Sequence, residues 1–178
     1  MGTAYKKRHE LTEEIVGQLV RRHSTAVILF HYAVAERLGL GPTEHKCLDL
    51  LRERGAMTGS ELAAITGLTS GAITGVVARL ERAGFLRRKP DPDDGRKQIL
   101  YPARERLRGM QNVFDPIRED VAALLDGFDV RQLSAIAEFL TRSAEIAYRH
   151  ATLLRAEPLC WTAQSATANT ANAEEKVR

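Results

Sequence analysis

Hydrophobic residues recur at three- and four-residue intervals along most of the chain. Glycine, proline and clusters of Asp, Ser and Thr cut that rhythm into segments. Ile15, Leu19, Ala26, Leu29, Phe30 and Ala33 predict one long helix. Thr12 is its expected N-cap, ahead of Glu13 and Glu14, and Gly39 with the Gly41-Pro42 break ends it after Leu38. Residues 1–10 read as a polar lead-in that frays. A helix of roughly 26 residues is about 40 Å long, more than a small domain needs. Such a helix packs on something beyond its own domain.

Thr43 is the expected cap of a second helix, with Cys47, Leu48, Leu50 and Leu51 on it and its end near Gly55. Thr58 and Glu61 have capping-box spacing and open a short helix carrying Leu62, Ala63 and Ile65, closed by Gly67. Thr69 or Ser70 then caps a helix with two unlike sides. Ile73, Val76, Val77, Leu80 and Ala83 fall on one side, an ordinary buried stripe. Gly71, Thr74, Gly75, Ala78 and Arg82 fall on the other, where almost nothing bulky keeps a second surface from the backbone. Two short helices joined at Gly67 fit a helix-turn-helix.

Gly84 stops this helix, and Leu86–Lys89 and Gln98–Tyr101 read as paired strands around a tip rich in turn formers, Pro90 to Gly95. The sum is a winged helix. Pro102 suits the first position of a further helix running to Phe128 with a kink at Pro116, and Asp129 with Gln132 caps the last one. The expected fold class is mainly α: a winged helix-turn-helix with a small β-hairpin wing, flanked by N- and C-terminal dimerisation helices. Its divisions are 1–41, an N-terminal dimerisation helix with its lead-in; 42–101, the DNA-binding head; 102–157, C-terminal dimerisation helices; and 158–178, a disordered tail of Ala, Thr, Asn and Ser.

Composition changes this picture little. At 178 residues, 44% hydrophobic and 28% charged, the chain can build a real core. No apolar run is long enough to span a bilayer and no signal-peptide core follows the basic residues near the start, so no membrane partner is expected. Cys47 and Cys160 make neither a disulfide framework nor a metal cluster, so a reducing cytoplasm is expected. A net charge of +3 permits a polyanionic partner without demanding one.

Three features point to double-stranded DNA. Ser70 and Thr74 place hydroxyls on the bare side of the second short helix, near its start, where helix-turn-helix proteins contact base edges. Arg79, Arg82, Arg87, Arg88 and Lys89 stand against the single acid Glu81, a set suited to phosphates. At the wing tip Asp94 precedes Arg96 by two residues and can hold its guanidinium out toward a narrow minor groove, with Lys97 beside it.

Residues of roughly 40 to 103 resemble the multiple-antibiotic-resistance regulator (MarR) family of winged-helix transcription factors. The matching pieces are Thr69 to Thr74, the run Arg79 to Arg88, and Asp91-Pro92-Asp93-Asp94-Gly95-Arg96, which is similar to the family's Asp-Pro-x-Asp-x-Arg wing. The resemblance implies a homodimer with intertwined terminal helices, binding to a palindromic operator, repression as the default, and release by a small-molecule effector. It implies that Ser70, Gly71 and Thr74 lie in the major groove and Arg96 in the minor groove. From the small face, the basic run and the wing themselves, Gly75, Arg79, Arg82, Arg88, Asp94 and Lys97 complete the expected interface. Gly75 departs from the basic or polar residue many relatives carry, and Pro102-Ala103 replaces their usual threonine helix opening. Phe30 and His31 are the expected effector-pocket residues.

Other classes weigh less. No catalytic or metal-ligating set and no cofactor is expected: His9, His23, His31, His45 and His150 lack ligand spacing, and no glycine-rich phosphate loop exists. His31 reads as a packed or ligand-lining side chain. A winged helix that binds protein instead of DNA, or a redox-responsive regulator acting through Cys47 or Cys160, are the alternatives; Cys47 among leucines reads as a small buried hydrophobe.

Overall fold

A computed structural model describes residues 2–156, with side chains from residue 6 onward. It divides into two compact units, Met1–Val121 and Ala122–Arg178. The expected disorder of 158–178 lies outside the described residues.

The first unit opens on α1, Gly2–Glu14, which continues through a π-helical turn at Ile15–Leu19 into α2, Val20–Arg37. Thr12 is therefore no cap and residues 2–10 are helical: the Thr12 hydroxyl donates to the Arg8 carbonyl at 2.9 Å inside the helix. Lysine and glutamate are themselves good helix formers, so the polar chain start extends the helix instead of fraying. In the π turn the Val20 N–H reaches the Ile15 carbonyl, one residue further than in an α-helix. The end of α2 stands where expected, at Leu38.

Helix α3, Pro42–Arg54, is capped by Gly41 with Pro42 in the first turn, so Thr43 lies inside the helix. Strand β1, Met57–Thr58, leads into α4, Gly59–Thr66. Thr58 and Glu61 form the expected capping box, and Gly67 ends α4 at φ 73°, a left-handed conformation natural to glycine. Thr69 caps α5, Ser70–Arg82, accepting from the Ala72 N–H at 3.3 Å. The two helices are bent by 114° across this turn, inside the roughly 90–120° of a helix-turn-helix.

Strands β2, Leu86–Pro90, and β3, Gln98–Pro102, make the hairpin, with Arg88 opposite Leu100 and Pro90 opposite Gln98. The sheet has three antiparallel strands, not two, because β1 pairs along β3 with Met57 opposite Leu100. An N-cap residue has an extended backbone, so Thr58 caps α4 and pairs with Ile99 at once. Two residues are too few to signal a strand from sequence.

Pro102 ends β3 instead of opening a helix. Ala103 caps a short α6, Arg104–Arg108, and the chain breaks at Gly109 and Met110 before α7, Gln111–Leu125. The single helix expected from 102 to 128 is thus interrupted at Gly109, while α7 continues through Pro116. Met110, only 2% exposed, drops into the core at the break. That core joins Leu48 and Leu51 of α3, Leu62 of α4, Ile73, Val76, Val77 and Leu80 of α5, Phe85, Leu86 and Leu100.

The second unit is dominated by α8, Val130–Ala156. Asp129 and Gln132 cap it reciprocally, at 2.8 and 2.9 Å, as expected. No residue of α8 is buried.

Candidate nucleic-acid interface

The apolar stripe of α5 seals the helix to the head: Ile73, Val76, Val77 and Leu80 are buried. Ser70, Gly71, Thr74 and Arg82 are exposed on the opposite side, and Gly75 and Ala78 are half-buried. A β-carbon added at Gly71 would meet nothing within 4 Å, so its surface is open. Gly75 differs. A β-carbon there would lie 3.3 Å from an Arg79 guanidinium nitrogen, because Arg79 folds back over it. Thr74 has spent its hydroxyl proton on the Ser70 carbonyl at 2.8 Å. Its oxygen remains an acceptor and its methyl remains exposed, which narrows what it can offer a base edge.

The basic run is more internally paired than its sequence suggests. Arg79 donates from Nε to the carboxylate of Glu44, a buried acid in the first turn of α3. Arg88 donates to Glu81 and holds that carboxyl below the usual carboxylate range. Arg87 approaches Glu105 at 3.7 Å, and Lys89 sits over the Tyr101 ring at 5.4 Å. Arg82 makes no ion pair among the described residues. Glu44 lies 35 positions before Arg79, so no local count of charge could have included it.

The wing tip is built by two aspartates. Asp91 accepts from the Asp93 N–H at 2.9 Å and closes the turn. Asp94 accepts from both the Arg96 N–H and its Nε at 3.2 Å, and lies 3.7 Å from the Lys97 ammonium. Arg96 nevertheless keeps its side chain 93% exposed. The expected pairing of Asp94 and Arg96 is present, with the charge tethered at its base and extended into solvent.

Phe30 and His31, expected along an effector pocket, meet other rings. Phe30 packs edge-on against Phe114, centroids 6.0 Å apart, and His31 lies 5.2 Å from the His45 ring. A cavity of about 250 Å³ lies elsewhere, at the base of the wing, lined by Arg87, Lys89, Tyr101 and Arg104 among others. Cys47 is fully buried, and burial pushes its thiol up to about 11, which keeps it protonated and unreactive at neutral pH. Cys160 lies outside the described residues.

Residues 40–97 match the model of the MarR family. Among curated proteins, the uncharacterized HTH-type transcriptional regulator YcgE of Bacillus subtilis (strain 168) is 38% identical over 139 residues, 78% of this chain and 90% of that one. The chain belongs to the MarR family. It is a DNA-binding transcriptional regulator of the winged helix-turn-helix type. Solved MarR-type structures have the same fold. A MarR family protein from Bacillus stearothermophilus superposes with a TM-score of 0.61 at 20% identity, covering 78% of this chain and 96% of that one. The transcriptional regulator Tm0710 from Thermotoga maritima gives 0.56 at 23%, covering 77% and 96%. Within this MarR-family chain the matched segment runs from the end of the first long helix to the wing, and so contains α3 to α5 and the Asp94–Arg96 tip. No single helix among the described residues is long and apolar enough to cross a membrane.

Proposed function

We propose that the chain works in the cytoplasm as a homodimeric, non-enzymatic repressor that binds a palindromic operator. The observation that carries this reading is the two-sidedness of α5, whose apolar side is buried while Ser70, Gly71 and Thr74 stay exposed. Residues 42–101 are the DNA-binding part. Ser70, Gly71 and Thr74 enter the major groove, with Gly71 allowing close approach and Gly75 lying beneath the Arg79 guanidinium. Arg82 meets phosphate directly, Arg79 and Arg88 do so by exchanging their carboxylate partners, and Arg96 with Lys97 reaches the minor groove from the Asp94 tether. With few side chains on α5, recognition leans on the wing and on DNA shape.

The long helices at both ends, in 1–41 and 102–157, form the dimer. Val16 is 70% exposed and Leu154 68%, and Leu19, Ile28, Leu29, Leu124, Phe139 and Leu140 are exposed with them. A single chain has no use for so much bare apolar surface, and a two-fold partner covers it. Two heads then address successive major grooves about 34 Å apart. A small effector acting near Phe30 and His31 releases the operator.

The test is recovery of bound fragments from genomic DNA by the purified protein, followed by titration of the recovered site against rising salt. The reading expects a palindromic site and steep loss of affinity with salt. A winged helix that binds protein would recover no defined site.

A further inference from the structure

Two histidines widely separated in sequence converge where α2 packs on α3. Nδ1 of His31 lies 3.5 Å from Oδ2 of Asp49, and Nδ1 of His45 lies 3.3 Å from the same oxygen. Neither Nδ1, nor Nε2 of His45, has a hydrogen-bond partner among the described residues. The His45 side chain is only 1% exposed, so both its ring nitrogens are buried without a hydrogen bond, an unfavourable state for a polar group.

We propose that His31, His45 and Asp49 bind a divalent first-row transition ion such as Zn2+, through two imidazole nitrogens and one carboxylate oxygen.

One ligand atom from each residue lies within 4.8 Å of the others. A tetrahedral zinc ion with bonds of about 2.0–2.1 Å holds its ligands roughly 3.3–3.4 Å apart. The two nitrogen–oxygen separations, 3.3 and 3.5 Å, are close to that value. Nitrogen with carboxylate oxygen is a donor set for zinc and its neighbours, not for calcium or magnesium, which take oxygen ligands.

Phe30 and Phe114 wall the junction with apolar rings, while His31 and Asp49 are each about a fifth to a quarter exposed and give an ion its way in. The Lys46 ammonium, 3.6 Å from Oδ2, yields its place to the ion, and Arg52 stays on the other carboxylate oxygen at 3.7 Å. An ion here clamps α2 to α3, one residue from the Glu44 that holds Arg79 of α5. This site goes beyond DNA reading, and its test uses no DNA.

The full chain is stripped with chelator and titrated with Co2+, read by visible absorption, and with Zn2+ against a chromophoric chelator. The expected result is one equivalent per chain, absorption bands of low-coordinate Co2+ bound by nitrogen and oxygen, and a rise in thermal midpoint with Zn2+. His31→Ala and Asp49→Asn, at part-exposed positions that tolerate change, should each weaken Zn2+ binding at least about tenfold and abolish the thermal shift. Failure of the native chain to bind a stoichiometric ion overturns the proposal. So does undiminished binding in both folded variants, which puts the ion elsewhere.

Discussion

Helices α5 and α8 are both amphipathic, yet they meet opposite fates in one chain. The 13 residues of α5 bury Ile73, Val76, Val77 and Leu80, whereas the 27 residues of α8 bury none. The head around α5 closes its own core. The stripe of α8 has the same periodicity and leaves Leu140 and Leu154 in solvent. Periodicity says that a face will be covered, and not by what. In the head the cover is Leu48, Leu51, Leu62 and Phe85; for α8 we assign it to a second copy.

Damage to the head's core should have the largest effect. Leu48→Ala should cost about 2–5 kcal/mol of stability, read by urea denaturation, because the site is fully buried among residues that relax little. A cost typical of a surface position would mean that the head is not the self-sufficient part. Next in size, Arg96→Ala should weaken operator binding by about 1–3 kcal/mol and leave the denaturation curve unmoved. That contrast separates residues exposed for DNA from residues exposed for a partner chain.

Leu154→Glu addresses the other half. It should raise the dimer dissociation constant at least tenfold, about 1.4 kcal/mol, in sedimentation velocity while helical content is kept. An unaltered dimer would remove α8 from the interface.

The smallest effect concerns the entry to α4. Thr58→Ala removes the cap and should cost about 1 kcal/mol. The Thr58 amide and hydroxyl both donate to Glu61 and hold its carboxyl below the usual carboxylate range. The folded value is thus the lower one. Its contribution is fully present above the unfolded pKa, near 4.3, and is lost as pH falls through the folded value. The gap in thermal midpoint between the native chain and Thr58→Ala should therefore narrow at acid pH, down to the part carried by the Glu61 N–H bond to the Thr58 hydroxyl. A constant difference at all pH would assign the whole contribution of the hydroxyl to that bond.

Much of the fold was legible because its signals are local. Gly67 and Gly84, the Thr58–Glu61 box, the Asp129–Gln132 box and the Asp94–Arg96 pair all act across four residues or fewer. What sequence hid was either very short or very distant. Strand β1 exists only because β3 lies beside it, and the break at Gly109 follows from burial of Met110. Glu44 reaches Arg79 across 35 positions, which turned an apparently free arginine into half of an ion pair. His31, His45 and Asp49 showed no ligand spacing because α2 and α3 each supply part of the set. A histidine in one helix and an i, i+4 His–Asp pair in the next is a signal only once the helices are known to pack.

On the proposed function, two copies of this chain, joined through their long helices, present two heads to one operator. Sedimentation equilibrium of the protein with a single-site duplex counts those copies. Two chains per duplex are expected at low salt, with the 19.8 kDa chain still dimeric after salt has released the DNA. One chain per duplex, or a monomer in free solution at micromolar concentration, would contradict it.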